Sequence, residues 1–229
     1  MKLYKYCLLL LPTFALFGCE KETEGVSKTT YYCELELKGD AAMFVGIGDT
    51  YEEPGYTATE NEQDASDAVV VSGTVNTAES GIYTLTYTAY NQDGFPKVAQ
   101  REVFVYDKTT STLESGYYYV SSSSNRNGSS SPEYASEPVL AIYQTSPGVF
   151  YVSDLFGGYY HVGRGYGDAY ATSGTIKLDG TSLSLISSEN TPWEDTFASA
   201  SGTYDASTKT LTLAVGYASY IFNLTIVKK

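Results

Sequence analysis

The sharpest period-two alternation in the chain is Gly81-Ile82-Tyr83-Thr84-Leu85-Thr86-Tyr87-Thr88-Ala89-Tyr90. Successive side chains on a strand point to opposite faces, so Tyr83, Leu85, Tyr87 and Ala89 share one face and Thr84, Thr86 and Thr88 the other. One face is predicted buried and the other wet. The turn signal Asn91-Gln92-Asp93-Gly94 follows, and Arg101-Glu102-Val103-Phe104-Val105-Tyr106 reads as the returning strand of a hairpin. Upstream, Leu35 and Leu37, then Gly48 to Ala58, then Val69 to Val75, are short stretches separated by turn residues. Such a series predicts a β-sandwich over residues 34–106.

From Leu113 onward the pattern repeats on a smaller scale. Strands are predicted at Gly116 to Ser121, Val139 to Gln144, Val149 to Asp154, Gly174 to Leu178, Ser182 to Ser187, Ser201 to Tyr204, Thr210 to Val215 and Tyr220 to Val227. Hairpin spacing makes residues 113–229 an antiparallel meander, either a barrel or a second sandwich, and patterning leaves the two open. Closure would bury the edges that an open sheet exposes. No window carries a capped 3.6-residue apolar period, so the fold class is all-β. Asp107 to Thr112 is polar and aperiodic, as a short linker holding two domains close should be. The serine-rich run Ser121 to Ser131 is expected to be a mobile loop, a flexible excursion with ligand contact as the alternative.

The N-terminus obeys a different rule. Lys2 and Lys5 precede an apolar run from Cys7 to Phe17 that contains Pro12 and ends in Gly18-Cys19. A basic start, a short apolar segment and a small residue at the cut mark residues 1–18 as a removed secretory leader. The run is too short for a transmembrane helix. Its ending Leu16-Phe17-Gly18-Cys19 resembles the bacterial lipoprotein signal, which implies acylation of Cys19 and a membrane partner, since several acyl chains together attach stably. Residues 19–33 would be a tether. Within it, Glu20-Lys21-Glu22-Thr23-Glu24 resembles the surface-export signal of Bacteroidetes lipoproteins, although any acidic tether would have similar composition. The expected location is the outer membrane, facing the cell exterior.

Charge and composition narrow the chemistry. The formal net charge is −13, and loss of Lys2 and Lys5 takes it to −13 − 2 = −15. Nucleic acid is excluded as a partner, because the basic stripe that releases counterions is missing. Cys7 would leave with the leader and Cys19 would be acylated, so Cys33 stands alone, a half-buried thiol at a strand start; no disulfide or cysteine metal site follows. His161 is the only histidine, which excludes sites needing two. Asp49, Glu52 and Glu53 suggest calcium but lack the distal ligands it requires, so neither metal nor cofactor is expected.

Two resemblances extend this. The runs Gly48-Asp49-Thr50-Tyr51-Glu52-Glu53-Pro54-Gly55-Tyr56-Thr57-Ala58, Val69-Val70-Val71-Ser72-Gly73-Thr74-Val75 and Gly81 to Ala89 resemble the bacterial Ig-like domain first described in insecticidal crystal proteins. They depart from it at Asn91, where aspartate is usual, and at Asp93-Gly94-Phe95-Pro96, where Gly-Asn is usual. The resemblance implies a spacer. Ser146 to Tyr160 and Gly163-Arg164-Gly165-Tyr166-Gly167 resemble the C-terminal domain of Bacteroides lipoproteins that carry this module in front. Members occur commonly beside glycan-uptake machinery, which implies outer-membrane uptake proteins as partners and no particular activity.

The densest candidate chemistry is Asp154, Tyr159, Tyr160, His161, Arg164, Tyr166, Asp168 and Tyr170, set among glycines. Glycine permits close backbone approach, and tyrosine offers a flat face and a hydroxyl at small entropic cost. Sugars suit such surfaces. Trp193 adds a stacking platform if its loop folds beside the first. The bland alternative has the tyrosines capping the sheet end and Trp193 plugging a barrel mouth. Catalysis is not expected: Gly163-x-Gly165-x-Gly167 is no dinucleotide fingerprint, no Gly-x-Ser-x-Gly elbow accompanies His161, and adjacent Glu194 and Asp195 would point apart on a strand, unlike a glycosidase pair. The chain thus reads as a surface lipoprotein whose second domain binds glycan, with a structural or adhesive envelope protein as the alternative.

Overall fold

The computed structural model describes residues 28–229. The leader, Cys19 and most of the tether lie outside them. The first domain contains β1 (Cys33–Leu37), β2 (Ala42–Gly46), β3 (Tyr56–Glu60), β4 (Gln63–Asp64), β5 (Val70–Ser72), β6 (Gly81–Tyr90) and β7 (Pro96–Tyr106). Two sheets face each other, β1-β3-β4 and β2-β7-β6-β5, with β2 parallel to β7. β6 covers the alternating stretch, and Leu85, Tyr87 and Ala89 pack against Cys33, Leu35 and Ala58 of the other sheet. Cys33 lies inside this core rather than half-buried.

β7 begins five residues before the predicted return, and its inward face carries Arg101, Val103 and Val105. Arg101 is fully buried at 0% exposure. Its guanidinium donates to the carbonyls of Lys38 at 2.8 Å, Gly55 at 3.1 Å and Asp40, and lies 3.4 Å from the Tyr87 hydroxyl. Glu53 neutralises it at 3.1 Å. Asp49 in turn pairs with Lys108 at 2.7 Å, so two of the three carboxylates weighed for calcium hold cations of the chain itself.

The second domain contains β8 (Gly116–Val120), β9 (Asn125–Arg126), β10 (Ser129–Ser130), β11 (Val139–Ser146), β12 (Val149–Val152), β13 (Gly174–Asp179), β14 (Ser182–Ser188), β15 (Ser199–Asp205), β16 (Thr210–Tyr217) and β17 (Tyr220–Lys228). All eight predicted strands form. They close into an antiparallel barrel because β17 pairs with β8 through Ile226↔Val120, Val227↔Tyr119 and Lys228↔Tyr118. Eight strands leave an interior that side chains just fill, here with Tyr118, Ile142, Phe150, Ile176, Leu211 and Phe222 among others.

The serine-rich run is ordered rather than a free excursion. β9 and β10 form a small flap, and β9 adds to β17 through Phe222↔Arg126 and Asn223↔Asn125. Two of its short polar side chains bond backbone, as such residues readily do: Ser124 Oγ accepts the Thr225 amide at 3.0 Å, and Asn127 Oδ1 accepts that of Ile221 at 2.7 Å.

β11 is buried on both faces. Leu140 and Ile142 point into the barrel, whereas Ala141 and Tyr143 meet Phe104 of β7 together with Phe44, Tyr117 and Tyr151. The Phe44 and Phe104 rings stack at 4.9 Å, and Phe104 meets Tyr143 at 5.7 Å. The linker is pinned as well: the Asp107 amide donates to the Gln144 carbonyl at 2.8 Å, and Gln144 Nε2 donates to that of Thr109 at 2.8 Å. The polar linker is therefore strapped to the barrel beside an aromatic seam.

Candidate functional site

The site lies at one end of the barrel, where the β12–β13 loop, the β14–β15 loop, the β16–β17 turn and the serine flap converge. Asp154, 1% exposed, organises the longest of these. Its carboxylate accepts the amides of Phe156 at 2.9 Å, Gly158 at 2.8 Å and Thr172 at 3.3 Å, tying both ends of the loop together. A single π-helical turn follows at Tyr159–Gly163. Gly158 enters it at φ +82°, where a Cβ would also sit 2.3 Å from Pro138 Cβ; at Gly163 a Cβ would sit 2.3 Å from the Glu133 carbonyl oxygen. Only glycine lets this loop lie so close to its neighbours.

Phe156 seals the barrel, packing on Phe197 at 4.6 Å, Tyr217 at 5.0 Å and Phe222 at 5.2 Å. Above this floor, four rings form a closed circuit: Tyr160 to Trp193 at 4.9 Å, Trp193 to Tyr170 at 5.6 Å, Tyr170 to Tyr166 at 5.0 Å and Tyr166 to Tyr160 at 6.1 Å. Tyr166 is 51% and Trp193 45% exposed, while Tyr160 and Tyr170 are half-buried. Trp193 therefore belongs to the platform and is no plug; Phe156 and Phe197 close the mouth instead. Its loop is held by Asp195, which accepts from the hydroxyls of Thr191 and, at 2.8 Å, Tyr217.

Of the residues predicted from sequence, Tyr160, Tyr166 and Trp193 meet in this circuit. Tyr159, the neighbour of Tyr160, is 1% exposed and packs against Tyr134 and Phe222, so its ring is core rather than ligand surface. Arg164 is committed to Glu133 at 2.9 Å. Asp168 is fully exposed at the rim. His161 stands between two carboxylates, Nδ1 3.9 Å from Asp154 and Nε2 3.6 Å from Asp168. Asp154 is the main influence that holds its pKa above the usual histidine range, burial opposing it and Asp168 assisting. Phe156, Tyr217 and Arg126 complete the site and escaped the sequence reading, Arg126 because it sits in a run of serines.

An Ig-like sandwich strapped to a closed barrel that ends in exposed aromatic rings defines a two-module all-β protein. Residues 35–105 match the bacterial surface protein Ig-like domain, and residues 107–228 match a family described as a C-terminal domain. The chain belongs to the family of lipoprotein BT2262 from Bacteroides thetaiotaomicron. That crystal structure superposes with a TM-score of 0.79 at 36% identity, over 86% of this chain and 100% of that one. A TM-score this high exceeds the share of the chain that either module contributes, so both modules superpose in one frame. Two structures from Clostridium perfringens ZmpB align over 85% and 86% of this chain and 43% and 21% of theirs, at 12% and 13% identity. One contains CBM51-2 in complex with GlcNAc and INT domains, the other the M60 catalytic domain with CBM51-1 and CBM51-2. Their TM-scores are 0.30 and 0.31. No curated protein sequence matches the chain.

Proposed function

We propose that this protein is an outer-membrane lipoprotein, held by acylated Cys19 and facing the cell exterior, whose barrel binds glycan in association with uptake proteins. The observation that carries the binding role is the circuit of Tyr160, Tyr166, Tyr170 and Trp193, with two of its rings about half exposed. A sugar ring presents C–H groups on one face and hydroxyls on its edge, which flat aromatic surfaces with hydroxyl rims complement. The Ig-like domain would hold that surface away from the membrane, and the aromatic seam at Phe104 would keep its direction fixed. The location is tested by partition and shaving: the mature protein should enter the detergent phase and be degraded by protease added to intact cells. A protected protein would contradict the outward orientation.

Trp193→Ala is the test of binding. Truncating a central aromatic anchor costs about 2 kcal/mol, close to thirty-fold in Kd. Affinity electrophoresis of the full mature chain through polysaccharide gels should show that loss in a chain that stays folded, its Tm lowered by no more than a few degrees as the contacts with Tyr160, Tyr170 and Tyr217 are lost. Retardation unaltered by Trp193→Ala would move the binding surface elsewhere, and no retardation by any glycan would favour the adhesive envelope alternative. The proposal assigns no catalysis to the site. Glycan recovered intact after prolonged incubation is the expected result, and His161-dependent cleavage would oppose it.

A further inference from the structure

The chain has three arginines, and two are spent on carboxylates: Arg101 on Glu53 at 3.1 Å and Arg164 on Glu133 at 2.9 Å. Arg126 differs. Among the described residues no carboxylate forms an ion pair with it, although acidic side chains outnumber basic ones 27 to 14. The serine flap delivers Arg126 to the barrel end, where its guanidinium lies 4.6 Å from the centre of the Tyr220 ring and 5.0 Å from that of Tyr159. Two rings hold a half-buried, planar cation in place. Tyr160, a member of the aromatic circuit, is its neighbour: burial pushes the Tyr160 hydroxyl pKa up, and the charge of Arg126 pulls against it.

We infer that Arg126 is the anion-recognition point of the aromatic platform, and that the ligand class is an acidic saccharide carrying a carboxylate or sulfate. This rests on the glycan-binding reading above and adds the charge of the ligand. Both rings sit over the guanidinium carbon, and the N–H donors not turned toward Tyr160 have a fork geometry that matches an oxyanion, as an ammonium would not. An unpaired, partly desolvated cation beside a stacking surface strengthens a charge-assisted contact, because water and counter-charge are already partly displaced. A sugar ring seated on Tyr160 and Trp193 would thus place an acidic substituent against Arg126.

The test compares polysaccharides that differ only in charge: polygalacturonate against its methyl ester for the carboxylate, and sulfated against desulfated galactan for the sulfate. Binding of the full mature chain, measured by calorimetry at low and high salt, should favour one acidic form and weaken as salt rises. Arg126→Gln should weaken that acidic ligand about ten-fold or more and remove its salt dependence, leaving its neutral counterpart unchanged. Arg126→Lys, which keeps the charge without the fork, should fall between; it also carries the test should Arg126→Gln fail to fold. Trp193→Ala should weaken acidic and neutral forms alike. Equal binding of charged and neutral forms, indifferent to Arg126, would overturn this inference while leaving glycan binding standing. Failure of all four polysaccharides to bind would overturn this inference, whereas the glycan-binding reading falls only if no glycan retards the chain.

Discussion

Arg101→Met should unfold the first domain while the barrel remains folded. Methionine replaces much of the buried volume, but the carbonyls of Lys38 and Asp40 lose their donor, that of Gly55 keeps only the Lys38 amide, and Glu53 loses its cation. Removing one partner of a buried ion pair costs about 3–5 kcal/mol. Glu53 is 32% exposed and recovers some hydration, so the orphaned carbonyls carry much of the penalty. A loss of this size is comparable to the whole stability of a small domain. Calorimetry of the full mature chain should show the sandwich transition lowered by roughly 15 °C or more, or absent. An unchanged transition would mean that Arg101 is not the node joining β7 to the two loops beneath it.

Asp154→Asn should have the largest effect in the barrel. The native carboxylate accepts amides from Phe156, Gly158 and Thr172, and it is buried. Asparagine offers one oxygen and one NH₂ in its place, so at least one buried amide faces a donor. The lost charge-assisted bond and the orphaned donor together cost about 3 kcal/mol, which for a domain of this size lowers Tm by roughly 10 °C. Hydrogen exchange should accelerate first at Phe156, Gly158 and Thr172. Glycan binding should fail in parallel, since Tyr160, Tyr166 and Tyr170 ride on the same loop. Asp168→Asn, at a fully exposed position, should change neither, and matched losses in the two variants would refute the positioning role of Asp154.

Much of the fold was legible because alternation is a local signal. β6 shows its buried face in Leu85, Tyr87 and Ala89, and β16 does the same with Leu211, Leu213 and Val215. Barrel closure was not legible: it depends on Ile226 to Lys228 finding Tyr118 to Val120 across more than a hundred residues, and nothing in either stretch encodes that partner. Arg101 occupies an inward position of a visible pattern with Val103 and Val105, yet a charged residue there reads as the edge of a strand rather than as core. Tyr159 and Tyr160 look identical in sequence. The π-helical turn sends one into the core and the other to the surface, a distinction made by Gly158 and the neighbouring Pro138 and not by side-chain chemistry. Arg126 reached the site only because β9 pairs with β17, a contact that a serine-rich composition conceals.

The platform contains the chain's only tryptophan, which makes the central claim directly observable. Tryptophan emission and its quenching by acrylamide should be followed while the full mature chain is titrated with the glycan that retards it most in affinity electrophoresis. Coverage of half-exposed Trp193 should shift emission to shorter wavelength and suppress quenching, saturating at the Kd measured independently. Emission and quenching that stay constant while the protein becomes fully bound would contradict the account, because the ligand would then sit away from the aromatic circuit.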